Sequence, residues 1–266
     1  MTQALFELYK ERDRAYTWDL PTEETARLSQ KFSYGTFETE AVTIPYRLFA
    51  MGGASGLPLV IYLHGAGEIG DDNEKPFEHD CAVEFAREEW LKENPCNVLV
   101  PQCPPGFVWS MPAVLQALKQ LIDKTVAEVR ADISRIYLYG CSMGCMGGCA
   151  FIKENPRFLA GALLICGATS GEGLENLLDT PIWLFHAKDD GSVFAGYMTP
   201  PIFLKNSLGS AVLYEELKGA GHNDIHYTEY PEGLIQEKYG VKAHCAWLPV
   251  FEGNEAMKWL FSCKRI

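Results

Sequence analysis

No apolar run in the 266-residue chain approaches the roughly 20 residues that span a bilayer, so no transmembrane helix is expected. The first twenty residues, MTQALFELYKERDRAYTWDL, mix charge with apolar residues and lack the continuous apolar core of a secretory signal. Basic residues are in the minority: 23 Lys and Arg face 35 Asp and Glu, for a net charge of -12. Such a surface has no general attraction for nucleic acid or anionic lipid. These absences predict a soluble, cytoplasmic protein with neither a nucleic-acid nor a membrane partner; they leave the oligomeric state open. Internal repeats and low-complexity linkers are also missing, which points to one domain over residues 1–266. The nine cysteines, without an export signal, predict reduced thiols rather than a disulfide framework. Cys141, Cys145 and Cys149 recur every fourth residue, but no fourth ligand or short paired knuckle accompanies them, so no metal site is expected.

What is present is a rhythm of buried strands and amphipathic helices. Residues 1–35 read as a polar, helical N-terminal extension. TFETEAVTIPYRLF (36–49) alternates apolar and polar residues, as a half-buried strand or hairpin does. LPLVIYLHG (57–65), NVLVPQC (97–103), SRIYLYG (134–140), LAGALLICG (159–167), PIWLFHA (181–187) and AVLYEEL (211–217) read as strands buried on both faces. Between them, MPAVLQALKQLIDKTVAEVRA (111–131) places Val114, Leu115, Leu118, Leu121, Ile122 and Val126 on one helical face. A last helix is expected over 254–265. Alternating strands and helices predict an α/β fold, a mostly parallel central sheet with helices on both faces. Residues 219–246 break the rhythm, being rich in Gly, His, Tyr and charge, and read as an insertion or lid-like loop. The acidic stretch 70–80 reads as a solvated loop.

Gly140-Cys141-Ser142-Met143-Gly144 is a G-x-S-x-G sequence that directly follows a predicted strand and precedes a predicted helix. In that context the serine sits on a sharp turn with its hydroxyl exposed. A serine hydroxyl needs a base, oriented by a third group, to become nucleophilic. Downstream, the strand PIWLFHA is followed by Asp189 and Asp190, both candidates for the acid at a strand end. His222 and His244 compete as the base, with His226 between them; His64 and His186 on strand ends read as structural. The glycine-rich turn YLHGAG suggests backbone donors for an oxyanion: Ala66 together with Met143, and Gly67 as the lesser candidate. Trp109 and Trp247 are candidates for a substrate wall or for packing, as are Tyr227, Tyr230 and Tyr239. Cys145 and Cys149 read as small apolar residues facing the sheet. Cys141, one residue before the centre of the turn, points away from it.

With YLHGAGEIGDDN, VLVPQCPPGFVW, GCSMGCMGG, PIWLFHAKDDGSV and HCAWLPVFEGNEAMKWLF in view, the chain resembles the α/β-hydrolase superfamily over about residues 36–265. Within it, the chain resembles the esterase and predicted-peptidase group related to feruloyl and acetyl-xylan esterases and polyhydroxybutyrate depolymerases. The resemblance implies Asp190 as the acid, since counting from His186 aligns Asp190 and Val193 with that group's pattern; Ala187 and Phe194 depart from it. It also implies His244 as the base, with Trp247, Phe251, Trp259 and Leu260 in step behind it, and leaves His222 as the alternative. Ile69 stands where that group carries arginine. The expectation is a cofactor-independent serine hydrolase of small carboxylic esters, feruloyl or acetyl esters among them. The alternatives are a serine peptidase of the same fold and a non-catalytic binding protein on a hydrolase scaffold.

Overall fold

The computed structural model describes residues 3–198 and 207–265. Eight strands form the central sheet: β1 (Ser33–Glu38), β2 (Thr43–Phe49), β3 (Leu59–Leu63), β4 (Asn97–Pro101), β5 (Ile136–Cys141), β6 (Gly161–Ile165), β8 (Ile182–Ala187) and β11 (Ile225–Tyr230). Their spatial order is β1-β2-β4-β3-β5-β6-β8-β11. The β1–β2 and β2–β4 pairs are antiparallel and the rest parallel. A second, three-stranded sheet joins β7 (Ala168–Ser170), β9 (Tyr197–Met198) and β10 (Ser207–Gly209). The helices are α1 (Gln3–Asp13), α2 (Glu23–Ser29), α3 (Glu88–Glu93), α4 (Pro112–Val129), α5 (Met143–Glu154), α6 (Ser210–Gly219), α7 (Leu234–Tyr239), α8 (Trp247–Phe251) and α9 (Glu255–Ser262).

The central parallel strands are apolar along their whole length because both of their faces are covered. Every residue of β3, β4, β5 and β6 is buried. One layer packs Val114, Leu118, Leu121 and Ile122 of α4 against Ile61 and Leu138. The opposite layer packs Phe85, Trp90, Phe251 and Leu260 against Tyr62, Tyr137 and Tyr139. All nine cysteines are buried and unpaired, and Cys145 and Cys149 lie in the α4 layer as packing residues. No helix among the described residues is long and apolar enough to cross a membrane.

Three segments differ from the sequence-based expectation. AVLYEEL forms α6 rather than a strand: Leu213 and Leu217, four residues apart, are buried on one face, a helical period. A short apolar run of this kind does not by itself separate helix from strand. Residues 219–246 are no free insertion, because β11 within them pairs parallel with β8 and completes the sheet edge. The N-terminal segment folds onto the body: Tyr9 and Leu28 are buried, and Thr17 bridges Val241.

Candidate active site

β5 runs straight into Ser142, and α5 begins at Met143. Ser142 has φ 55° and ψ −115°, a conformation that costs a non-glycine residue about 1–3 kcal/mol. The surroundings enforce it. Its N–H is tied to Ile165 O at 2.9 Å, and its carbonyl accepts from Met146 N at 3.1 Å. The turn also presses α5 onto β3, so a Cβ on Gly144 would collide with the Leu63 carbonyl. Only glycine fits at that crossing.

Asp190 lies three residues beyond β8 and is fully buried. Its Oδ1 accepts from Ser192 N at 2.7 Å and Val193 N at 2.9 Å. Its Oδ2 lies 2.6 Å from His244 Nδ1. A carboxylate only accepts, so Nδ1 carries the proton and Nε2 is the free acceptor nitrogen. Burial alone would raise the Asp190 pKa, but the charge and hydrogen bonds of His244 and His186 hold it well below the usual carboxylate range. Because β5, β6 and β8 are parallel neighbours, Ser142 and Asp190 emerge on the same rim of the sheet. Cys166, just past β6, sits between them. Burial and the Asp190 charge push its thiol up, and it contacts the Ser142 backbone. The structure thus joins Asp190 to His244. Among the described residues, Ser142 Oγ makes no hydrogen bond to His244, a contact that often tightens only with substrate bound.

The competing residues are engaged elsewhere. Asp189 bonds the Arg12 guanidinium and accepts from Gly233 N at 3.0 Å, which makes it an anchor for the N-terminal segment. His222 sits at the N-terminal ends of β8 and β11, the opposite end of these strands from Asp190. Its Nε2 meets Thr180 O at 2.9 Å and its Nδ1 accepts from Asp224 N at 3.2 Å, both just before β8 and β11 begin. The length of β8 therefore separates it from Asp190, about 20 Å at ~3.3 Å per residue. His226 pairs with Asp224 on the surface. His186 Nδ1 meets Ser210 Oγ at 2.8 Å, and its Nε2 lies between Val193 O at 2.8 Å and Asp190 Oδ2 at 3.2 Å. His64 Nε2 accepts from Cys103 N at 2.9 Å.

Ala66 and Met143 each open a helical turn, where the helix itself supplies no acceptor for their N–H groups. Gly65, just before Ala66, lies against the strained serine: a Cβ built on it would be 3.6 Å from Ser142 Cβ. The reading of Trp109 as a substrate wall is corrected. Its side chain is completely buried and donates to His64 O at 3.0 Å, supporting the turn from below. Trp247 is buried too, with its ring edge-on to His244 at 5.8 Å. The solvent-facing aromatic beside His244 is Trp18, 44% exposed and 5.8 Å from it on another edge.

Sequence reasoning missed this N-terminal contribution and a buried charge relay beside it. His79 Nε2 lies 2.9 Å from Glu68 Oε1, and its Nδ1 lies 3.0 Å from Asp19 Oδ1. Asp19 Oδ2 accepts from Trp247 Nε1 at 3.1 Å. Burial opposes charge on both partners. Nevertheless Asp19 and Glu68 push His79 up to about 10, while His64 and His79 bring Glu68 down to about 2. The signal available in the sequence was the Glu of YLHGAGE; nothing local linked it to residue 19 or 79. Among the described residues, no group of three or more His, Cys, Asp or Glu side chains is arranged to hold a metal ion.

A strained serine between a buried strand and a helix, with a carboxylate–imidazole pair on the same rim, defines a class of site. Comparison with solved structures agrees on the fold. A thermostable esterase superposes with a TM-score of 0.80 and 37% identity, over 90% of this chain and 64% of its own. The chain therefore spans less than two thirds of that esterase's length. An S-formylglutathione hydrolase from Agrobacterium tumefaciens (TM-score 0.59, 13% identity, 87% of this chain and 95% of its own) shares the fold. So does Est1E from Butyrivibrio proteoclasticus (TM-score 0.58, 12% identity, 86% of this chain and 99% of its own). No protein-family model and no curated protein matches the sequence. Strand order, elbow and these similarities put the chain in the α/β-hydrolase superfamily.

Proposed function

We propose that the chain is a serine hydrolase of carboxylic esters that works through Ser142, His244 and Asp190. The observation that carries this reading is the 2.6 Å His244–Asp190 hydrogen bond on the rim that bears the strained Ser142. In this reading Ser142 Oγ attacks the ester carbonyl and passes its proton to His244 Nε2. Asp190 keeps Nδ1 protonated and stabilises the imidazolium. The N–H groups of Ala66 and Met143 receive the oxyanion. His244 then protonates the departing alcohol, leaving an acyl group on Ser142, and the same base activates the water that releases it. The 37% identity to a thermostable esterase supports ester over amide cleavage.

The substrate in this proposal is a small ester, with feruloyl and acetyl esters first on the panel. Trp18 offers an exposed aromatic surface beside His244 for a planar or apolar substituent. Hydrolysis of p-nitrophenyl acetate and labelling by a fluorophosphonate test the reading. Wild type should turn over and label, and Ser142→Ala should do neither. Equal rates for the two would remove Ser142 from the chemistry. Faster cleavage of acylated peptides than of any ester on the panel would turn the assignment to a peptidase.

A further inference from the structure

The two loops that carry Asp190 and His244 do not meet through their own backbones. They meet on a third chain segment, at the end of α1. Asp13 is buried, 4% exposed. Its Oδ2 accepts from Gly191 N at 3.2 Å, one residue after Asp190. Its Oδ1 accepts from Ala243 N at 3.1 Å, one residue before His244, and from Gln236 Nε2 at 3.2 Å. Helix α1 is seated tightly there: a Cβ on Gly191 would come within 2.9 Å of Asp13 Oδ2 and of the Lys10 backbone. Four residues on, Thr17 O accepts from Lys242 N at 3.0 Å, so the segment follows the base loop further.

A carboxylate is the one short side chain that accepts on both oxygens. An asparagine at this position would turn its NH₂ toward one of the N–H donors. Among the described residues Asp13 has no cationic partner, so three N–H groups are all that offset its desolvation. Burial accordingly raises its pKa. A buried, unpaired acid is a poor stability element. It does suit a task that needs two acceptors on one rigid group.

We propose that Asp13 is a positioning residue: its carboxylate bridges the N–H groups of Gly191 and Ala243 and sets the spacing of Asp190 and His244. This rests on the triad reading above. A shift of about 1 Å in such a pair costs about 100-fold in rate. Asp13→Asn should therefore lower kcat for p-nitrophenyl acetate by about 10- to 100-fold while KM stays within about threefold. The low-field NMR signal of the His244 Nδ1 proton should also shift or broaden. Gln236→Leu removes a bond to the same carboxylate without touching either loop, and should leave kcat near wild type.

Asp13→Ser, which keeps one acceptor, replaces Asp13→Asn if the latter does not fold. Wild-type kcat and an unchanged low-field signal in a folded Asp13 variant would overturn the proposal, and so would failure of both variants to fold. If Ser142→Ala is inactive while Asp13→Asn is fully active, this inference alone fails. If Ser142→Ala is active, the triad reading fails first.

Discussion

Replacing Asp190 by asparagine changes one atom and tests the site most directly. Oδ1 is held by Ser192 N and Val193 N, so the asparagine oxygen takes that position and its NH₂ faces His244 Nδ1. His244 must then accept at Nδ1 and carry its proton on Nε2, where it can no longer take one from Ser142. In a Ser-His-Asp set this change costs about 10⁴-fold in kcat, or about 5.4 kcal/mol at 1.36 kcal/mol per tenfold. There is a structural cost as well. His186 Nε2 lies 3.2 Å from Asp190 Oδ2 and already donates to Val193 O, so the new NH₂ meets a second donor. A mispaired buried donor costs about 1–3 kcal/mol. The assay is p-nitrophenyl acetate hydrolysis near neutral pH, with urea unfolding to separate the two effects. A folded Asp190→Asn within tenfold of the wild-type rate would refute the role of Asp190. It would also reopen Asp189, whose Oδ2 is committed to Arg12 and Gly233.

The histidines give two further tests. His222→Ala should destabilise the fold by about 1–3 kcal/mol, because Thr180 O and Asp224 N lose a buried partner, yet leave kcat unchanged; His244→Ala should abolish turnover and also lower stability, since the buried Asp190 carboxylate loses its 2.6 Å partner, and an inactive, stable His222→Ala would contradict the geometry. For His79, the folded pKa is raised to about 10 against an ordinary 6.5, so the native state holds the proton more tightly. Its stabilisation is complete below about pH 6.5 and is lost as pH rises toward 10. The Tm should fall across that window, and His79→Gln should flatten the fall; identical alkaline profiles for the two proteins would exclude the ion pairs with Asp19 and Glu68.

Much of the frame was legible because its signals are local. The strands β3, β4, β5, β6 and β8 announce themselves as largely apolar runs, since a parallel strand buried on both faces has no polar side to show. The elbow is equally local. A serine at φ 55° between β5 and α5 needs its glycines within two residues, where sequence displays them. Signals failed where one pattern serves two structures. AVLYEEL is apolar enough for a strand, but Leu213 and Leu217 bury with a helical period. IHYTEY in β11 is an edge strand whose polar composition resembles a loop.

The sequence by itself determined the class of fold, the turn carrying Ser142 and the aspartates and histidines that follow it as candidates. Tertiary structure decided which acid and which base meet. Asp189 and Asp190 are adjacent in the chain, but one turns to Arg12 and the other to His244. His222 and His244 lie 22 residues apart and end at opposite ends of the strands, because β11 runs between them. The same holds for Asp13, Trp18 and Asp19. Nothing in an N-terminal stretch of mixed charge marks these residues, since their partners lie far along the chain, from His79 for Asp19 to Ala243 for Asp13, beyond any local pattern.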